Sequence, residues 1–68
     1  MDFELLGKDY IELNSLLKLL RLVNSGGEAN QCIVNGEVKV NGIVEFQKRK
    51  KIRAGNNVVF SSNSIDIK

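Results

Sequence analysis

The stretch "VNGEVKVNGIVEFQKRKKIR", residues 34–53, decides the fold, because its residue pattern and its charge both change within it. "EVKV" and "IVE" alternate polar and apolar residues around Asn41-Gly42, the strongest short-range signal for a β-hairpin. A two-residue turn would pair Val40 with Ile43, whereas a three-residue loop would place Val44 opposite Val38. We favour the three-residue loop because it gives the cleaner apolar face, but the sequence alone leaves both registers open.

The same stretch ends in a concentration of positive charge. Residues 47–53 contain five cations and no acid, and like charges held close together weaken a compact state. Residues 1–34 hold three cations against five acids, and residues 35–68 hold seven against three. This asymmetry favours a basic face for an anionic partner. The alternative is a solvated loop with surplus lysines, since a basic cluster alone is a weak signal.

Two helices are predicted upstream of the hairpin. The first runs through "LNSLLKLLRLV", with Asn14 or Ser15 as the N-cap and an apolar stripe at helical spacing formed by Leu13, Leu16, Leu17 and Leu20. The second covers about residues 26–35, because Ser25 and Glu28 have the spacing of a capping box. Its apolar or small residues are Ala29, Cys32, Ile33 and Gly36, with Gly36 placed to end the helix in the left-handed conformation.

Two more strands are predicted downstream. "VVF" at 58–60 and "IDI" at 65–67 flank the polar turn "SSNS", and "AGNN" at 54–57 forms the turn before them. At the N-terminus, "DFEL" is either a short strand or a frayed end. An order of helices followed by strands indicates an α+β fold, with two short helices packed on one face of a small antiparallel β-sheet.

The composition argues against catalysis. A chain of 68 residues forms a single domain, residues 1–68. It has no histidine, its acids are scattered, and its one cysteine, Cys32, lies on the apolar stripe of the second helix as a packed thiol. We therefore predict no enzymatic activity, cofactor, metal or small-molecule substrate. No secretory signal or membrane span is evident, so we expect a cytoplasmic protein, with a monomer as the default.

The order of these motifs resembles a known family. "LLKLLRLVNSGGEA" (16–29), "VNGEVKVNG" (34–42) and "KRKKIRAG" (48–55) together are similar to the small RNA-binding domain named after ribosomal protein S-four, also called the αL motif. The resemblance covers about residues 11–60 and is greatest to the free-standing bacterial YbcJ-like branch. It implies a non-catalytic domain that binds structured RNA, ribosomal or transfer RNA, through the helix pair and a basic hairpin loop.

The resemblance also implies which residues contact RNA. Carried onto this chain, the surface comprises Lys18, Arg21, Ser25, Gly26, Gln31, Lys39, Asn41, Lys48, Arg49, Lys50, Lys51 and Arg53. The chain departs from the family at Asp9 and Glu12, where many members are basic. Phe46 is a candidate for stacking on a base, but we predict that it packs in the core together with Tyr10 and Phe60.

Two other functions remain open at this point. A protein-interaction adaptor would dock its basic loop on an acidic protein partner, and the sequence does not distinguish that partner from RNA. Binding to DNA is the weaker alternative, because no helix carries a row of base-reading side chains.

Overall fold

The computed structural model describes all 68 residues, and its elements follow the expected order with additions. The helices are α1 (Leu13–Leu19) and α2 (Gly26–Val34). The strands are β1 (Asp2–Phe3), β2 (Ile11–Glu12), β3 (Val38–Val40), β4 (Ile43–Val44), β5 (Lys51–Ile52), β6 (Asn57–Phe60) and β7 (Asn63–Ile67). The predicted α+β class is confirmed, as are the two C-terminal strands, and "DFEL" contains a short strand.

Five of the strands form one sheet, in the order β1-β7-β6-β3-β4. Its neighbouring strands are antiparallel except β1 and β7, which run parallel. The remaining strands, β2 and β5, form a separate antiparallel ladder of two residues each. This ladder was not expected from the sequence, and it joins the start of α1 to the basic run.

The core lies between the helix pair and one face of the sheet. Alternate residues of β3, β6 and β7 are buried, as the two-residue period of a half-buried strand requires. All fourteen buried residues are apolar: Leu5, Leu13, Leu16, Leu17, Val23, Ala29, Ile33, Val38, Val40, Ile52, Val58, Phe60, Ile65 and Ile67. Complete burial of one such aliphatic side chain stabilises a fold by about 1.5–3 kcal/mol.

Both ends of α1 differ from the prediction. Its N-cap is Glu12, without a side-chain cap, so the expectation of Asn14 or Ser15 was wrong. The helix also stops before Val23, because Arg21 adopts a left-handed φ of 58°. The Arg21 N–H then bonds to Lys18 O and the Leu22 N–H to Leu17 O, which are the two bonds of a Schellman motif.

The prediction for α2 is confirmed at both ends. Ser25 Oγ accepts a hydrogen bond from the Glu28 N–H at 3.1 Å, and the Glu28 carboxylate accepts one from the Asn24 N–H at 2.6 Å. At the other end Gly36 has a φ of 79°, and its N–H bonds to Ile33 O. A side chain at this position would be strained, because residues with a Cβ rarely adopt a positive φ.

The hairpin has the two-residue turn, so the preferred three-residue loop was wrong. Val40 pairs with Ile43 and Lys39 with Val44. Asn41 and Gly42 have φ values of 52° and 84°, as a type I′ turn requires at both central positions. This register leaves Ile43 73% exposed, because β4 is the edge strand and extends beyond the core.

The aromatic side chains divide between core and surface. Phe60 is buried as predicted, but Phe46 is 60% exposed and packs over Gly36, so its assignment to the core was wrong. Tyr10 is 37% exposed, which also contradicts the prediction. Both lie in short connecting segments, whose alternation of residues does not show which face is buried.

Candidate nucleic-acid interface

The basic segment, residues 48–53, is fixed to α1 by its backbone. The Leu13 N–H donates to Lys50 O at 2.9 Å, and the Asn14 N–H donates to Lys48 O at 3.0 Å. These are the first N–H groups of α1, which have no acceptor within the helix. The basic segment therefore supplies the N-terminal cap of α1 in place of the expected side chain. The β2–β5 ladder and the buried Ile52 fix the segment further.

The charged side chains of the basic segment remain at the surface. Four are exposed and Lys50 is half-buried. Only Arg49 is neutralised, because its Nε lies 2.9 Å from Glu12 Oε2 and no other salt bridge forms within 4.0 Å. Lys48, Lys50, Lys51 and Arg53 therefore have no carboxylate partner. A backbone held in place while its cations face solvent suits a surface that binds a polyanion.

The Tyr10 ring contacts two of these cations. Lys51 Nζ lies 5.1 Å and Arg53 Cζ 5.5 Å from the centre of its ring. A cation over the face of an aromatic ring is attracted by the ring quadrupole. Lys51 and Arg53 flank the buried Ile52 along an extended segment, so both point away from the core. Tyr10 thus holds two like charges side by side.

A cleft of about 410 Å³ separates the hairpin turn from the basic segment. Asn41, predicted for RNA contact, lies here together with Lys50, Lys51 and Arg53. The Asn41 Oδ1 already accepts a hydrogen bond from the Asn57 N–H at 2.8 Å, which fixes the turn against β6. The remaining lining residues are Val40, Ile43, Glu45 and Asn56.

Two predicted residues of the first helix region meet in a second cavity. Lys18 and Arg21 line a depression of about 400 Å³ together with Ile11, Ser15 and Leu19. Both cations are exposed and lack a carboxylate partner. Ile11 belongs to β2 and pairs with Ile52 of the basic segment, so a continuous ladder connects the two basic regions.

The other predicted residues do not line either cavity. Ser25 uses its hydroxyl oxygen to cap α2, and the carboxylate of Glu28 lies at the same helix end. Gly26 has open space around its Cα. The exposed Gln31 donates to Asn35 Oδ1 at 3.3 Å, and Lys39 is exposed on β3. The structure therefore groups Lys50, Lys51 and Arg53 with Asn41, and Lys18 with Arg21. Lys48 and Arg49 belong to the basic segment but, like these four residues, line neither cavity.

Cys32 and the acidic side chains are the remaining groups with chemistry of their own. Burial, followed by the charges of Glu37 and Glu28, raises the pKa of the Cys32 thiol, so the reactive thiolate is disfavoured. No group of three or more acidic, cysteine or histidine side chains is placed to hold a metal ion. Neither helix has the length and apolar character that crossing a bilayer requires.

Sequence reasoning missed the residues that organise this surface. The alternation of Lys51, Ile52 and Arg53 is the two-residue period of a strand, and it could have indicated β5. Glu12 was identified only as a departure from the family, whereas it pairs with Arg49. No local signal indicates that Glu45 and Asn56 face the same cleft, because they approach each other only in the folded chain.

Comparisons with known proteins agree on one family. Residues 3–68 match the model of the S4 domain. The chain is 46% identical over 63 residues to the "Putative RNA-binding protein YbcJ" of Escherichia coli (strain K12), covering 91% of this chain and 90% of that protein. The "Uncharacterized protein YbcJ" of Shigella flexneri matches to the same extent.

The fold also matches a solved structure. The solution structure of YbcJ from E. coli, whose αL motif is described as involved in RNA binding, superposes with a TM-score of 0.73 at 42% identity. The match covers 97% of this chain and 84% of that one.

Proposed function

The chain belongs to the S4 domain family, and on that premise we propose that it is a non-catalytic module that binds structured RNA, ribosomal or transfer RNA. The basic segment is the main contact, and the helix pair contributes through Lys18 and Arg21. The name of the E. coli relative and the αL motif of its solved structure support RNA as the partner. The same proposal includes a cytoplasmic location.

One observation carries the proposal: four cations of the basic segment have no carboxylate partner, although their backbone is held in place. A solvated loop would gain nothing from this arrangement, since the cations repel one another. A phosphate backbone would relieve the repulsion, because lysine and arginine that neutralise phosphates release counterions. A-form RNA is recognised largely by its shape and its backbone, so positions of cations matter more than base contacts.

The affinity is expected to depend steeply on salt. Each phosphate contact contributes about −0.9 to the slope of log affinity against log salt concentration, so four contacts give about −3.6. Between 50 and 200 mM salt the affinity would then fall by about two orders of magnitude.

The test compares two double variants of equal net charge. Lys48→Ala with Lys51→Ala removes two cations from the basic segment, and Lys8→Ala with Lys68→Ala removes two that lie outside it. Each is titrated against labelled transfer and ribosomal RNA over a range of salt. The first variant is expected to lower the magnitude of the slope by about 2 and the second to leave it near the wild-type value. Equal slopes for the two variants would refute the basic segment as the interface.

The cellular RNA is identified by crosslinking followed by sequencing. A pull-down with and without ribonuclease tests the same proposal from the protein side. Partners that disappear after ribonuclease treatment support RNA binding. Partners that persist would instead indicate an acidic protein docked on the basic segment.

A further inference from the structure

The cleft between the hairpin turn and the basic segment is lined by apolar, acidic and amide side chains as well as cations. A site for phosphate alone would need no apolar or acidic residues. Its volume, about 410 Å³, lies within the usual range of small-ligand sites, about 300–1,000 Å³. Val40 and Ile43, which is largely exposed, form the apolar part of the lining. Lys51 and Arg53 line the same cleft. An apolar wall beside hydrogen-bonding groups suits the flat face and polar edge of a nucleobase.

Glu45 decides which part of a nucleotide fits the cleft. It lines the cleft with three cations, yet its carboxylate forms no salt bridge with any of them within 4.0 Å. Its Oε2 accepts a hydrogen bond from the Gln47 N–H at 3.1 Å, which leaves Oε1 without a protein donor. A carboxylate repels phosphate, but it accepts hydrogen bonds from the exocyclic amino group of a base.

Two amide groups complete the polar lining. Asn56 Oδ1 accepts from the Arg53 N–H at 2.8 Å, and Asn41 Oδ1 accepts from the Asn57 N–H at 2.8 Å. Both oxygens are engaged, and neither side-chain NH₂ group donates a hydrogen bond to a protein acceptor. The cleft therefore offers amide donors together with one free carboxylate acceptor, and the edge of a base presents acceptors beside a donor.

We propose that this cleft holds one unpaired nucleobase bearing an exocyclic amino group, which donates to Glu45, while Lys51 and Arg53 hold the adjoining phosphates. The proposal rests on the proposed function, since the base belongs to the bound RNA. The cleft would make the protein selective for an RNA stem that carries a bulged adenine, cytosine or guanine. Uracil is disfavoured, because it has no exocyclic amino group and presents the O4 carbonyl in its place, leaving only its ring N3–H as a donor to Glu45.

The experiment uses three RNA hairpins that are identical except at one position, which holds a bulged cytosine, a bulged uracil or no bulge. The wild-type protein is expected to bind the bulged-cytosine RNA about tenfold more tightly than the other two. Glu45→Gln keeps an oxygen for the Gln47 N–H but removes the second acceptor, so this preference should fall to about twofold or less.

Glu37→Gln is the matched control, because it removes the same charge from an exposed residue that does not line the cleft. Removal of either negative charge lowers the general repulsion of all three RNAs, so the ratio between RNAs is the decisive quantity. The control is expected to keep the tenfold ratio.

Tight but equal binding of all three hairpins by the wild type would overturn the base site and leave the proposed function intact. Retention of the full ratio by Glu45→Gln would also overturn it. Failure of all three RNAs to bind at low salt would overturn both proposals.

Discussion

Glu12→Gln is expected to strengthen RNA binding while weakening the fold. The Glu12 carboxylate holds Arg49 at 2.9 Å, and Arg49 is the one cation of the basic segment that has such a partner. A phosphate that binds Arg49 must therefore compete with Glu12. Glutamine retains the size of the side chain, and no cap is lost, since Glu12 makes no side-chain cap bond to α1.

The size of the effect follows from charge and distance. A free Arg49 that gains one phosphate contact steepens the salt slope by about 0.9. Removal of a negative charge about 10 Å from a phosphate is worth about 0.4 kcal/mol in water before screening. The charge term alone gives an affinity gain of about twofold, and the additional phosphate contact makes the gain larger as the salt concentration falls. The free energy of unfolding should fall by about 0.5–1.5 kcal/mol, because an exposed ion pair and a favourable charge at a helix start are both lost.

The assay pairs RNA titrations at several salt concentrations with urea unfolding followed by circular dichroism. Glu4→Gln is the control, because it makes the same change in net charge at an exposed residue without an ion pair. It is expected to leave the slope unchanged. Weaker binding by Glu12→Gln, or an equal gain in affinity and slope by both variants, would show that the Arg49–Glu12 pair does not restrain the interface.

Three further variants test other features. Tyr10→Leu should lower the free energy of unfolding by about 1 kcal/mol, because Lys51 and Arg53 lose the aromatic ring that they contact. Tyr10→Phe keeps the ring and should leave the free energy of unfolding near the wild-type value. Equal losses for the two variants in urea unfolding would exclude a role for the ring face. Arg21→Gly should raise the free energy of unfolding by up to about 1 kcal/mol, because glycine adopts the left-handed φ of this position without strain. The same variant should weaken RNA binding, because it removes a cation. A drop in thermal stability would contradict the expected relief of strain. Gly36→Ala should lower the free energy of unfolding by about 1–2 kcal/mol because of the positive φ, since the added Cβ itself would lie at an ordinary contact distance, 3.4 Å, from Phe46 Cε1. Gly26→Ala, in open space at an ordinary φ, is its control, and similar losses in both would refute the strain.

Where local chemistry decides the structure, the sequence predicted it well. Ser25 caps α2 because its hydroxyl reaches the Glu28 N–H three residues on, a distance fixed by helical geometry. Gly36 ends the same helix because a left-handed residue is needed there. Asn41-Gly42 marked the hairpin for the same reason. The preference for a three-residue loop failed because it assumed that Val44 must be buried, whereas an edge strand leaves it exposed.

The features that could not be predicted depend on contacts between distant residues. α1 begins at Leu13 because Lys48 and Lys50 carbonyls accept its first N–H groups, and these residues lie over thirty positions away in the chain. Tyr10 was assigned to the core from its residue type, but the β2–β5 ladder places it beside Lys51 and Arg53. The list of cations was therefore available from the sequence, whereas the grouping of Lys50, Lys51 and Arg53 in one cleft was not.

The way in which the basic segment caps α1 carries an electrostatic cost that a purely structural role does not explain. The N-terminus of a helix bears partial positive charge, and anions rather than cations are stabilising there. Here the carbonyls of Lys48 and Lys50 satisfy the free N–H groups, but they fix a basic segment to this helix end, and Glu12 pairs with only one of its five cations. Serine or aspartate at the N-cap would satisfy an N–H group without that cost. A bound phosphate backbone would compensate these cations. The destabilising repulsion then lies at the surface where the proposed ligand would relieve it, as is common at binding sites whose function lowers stability.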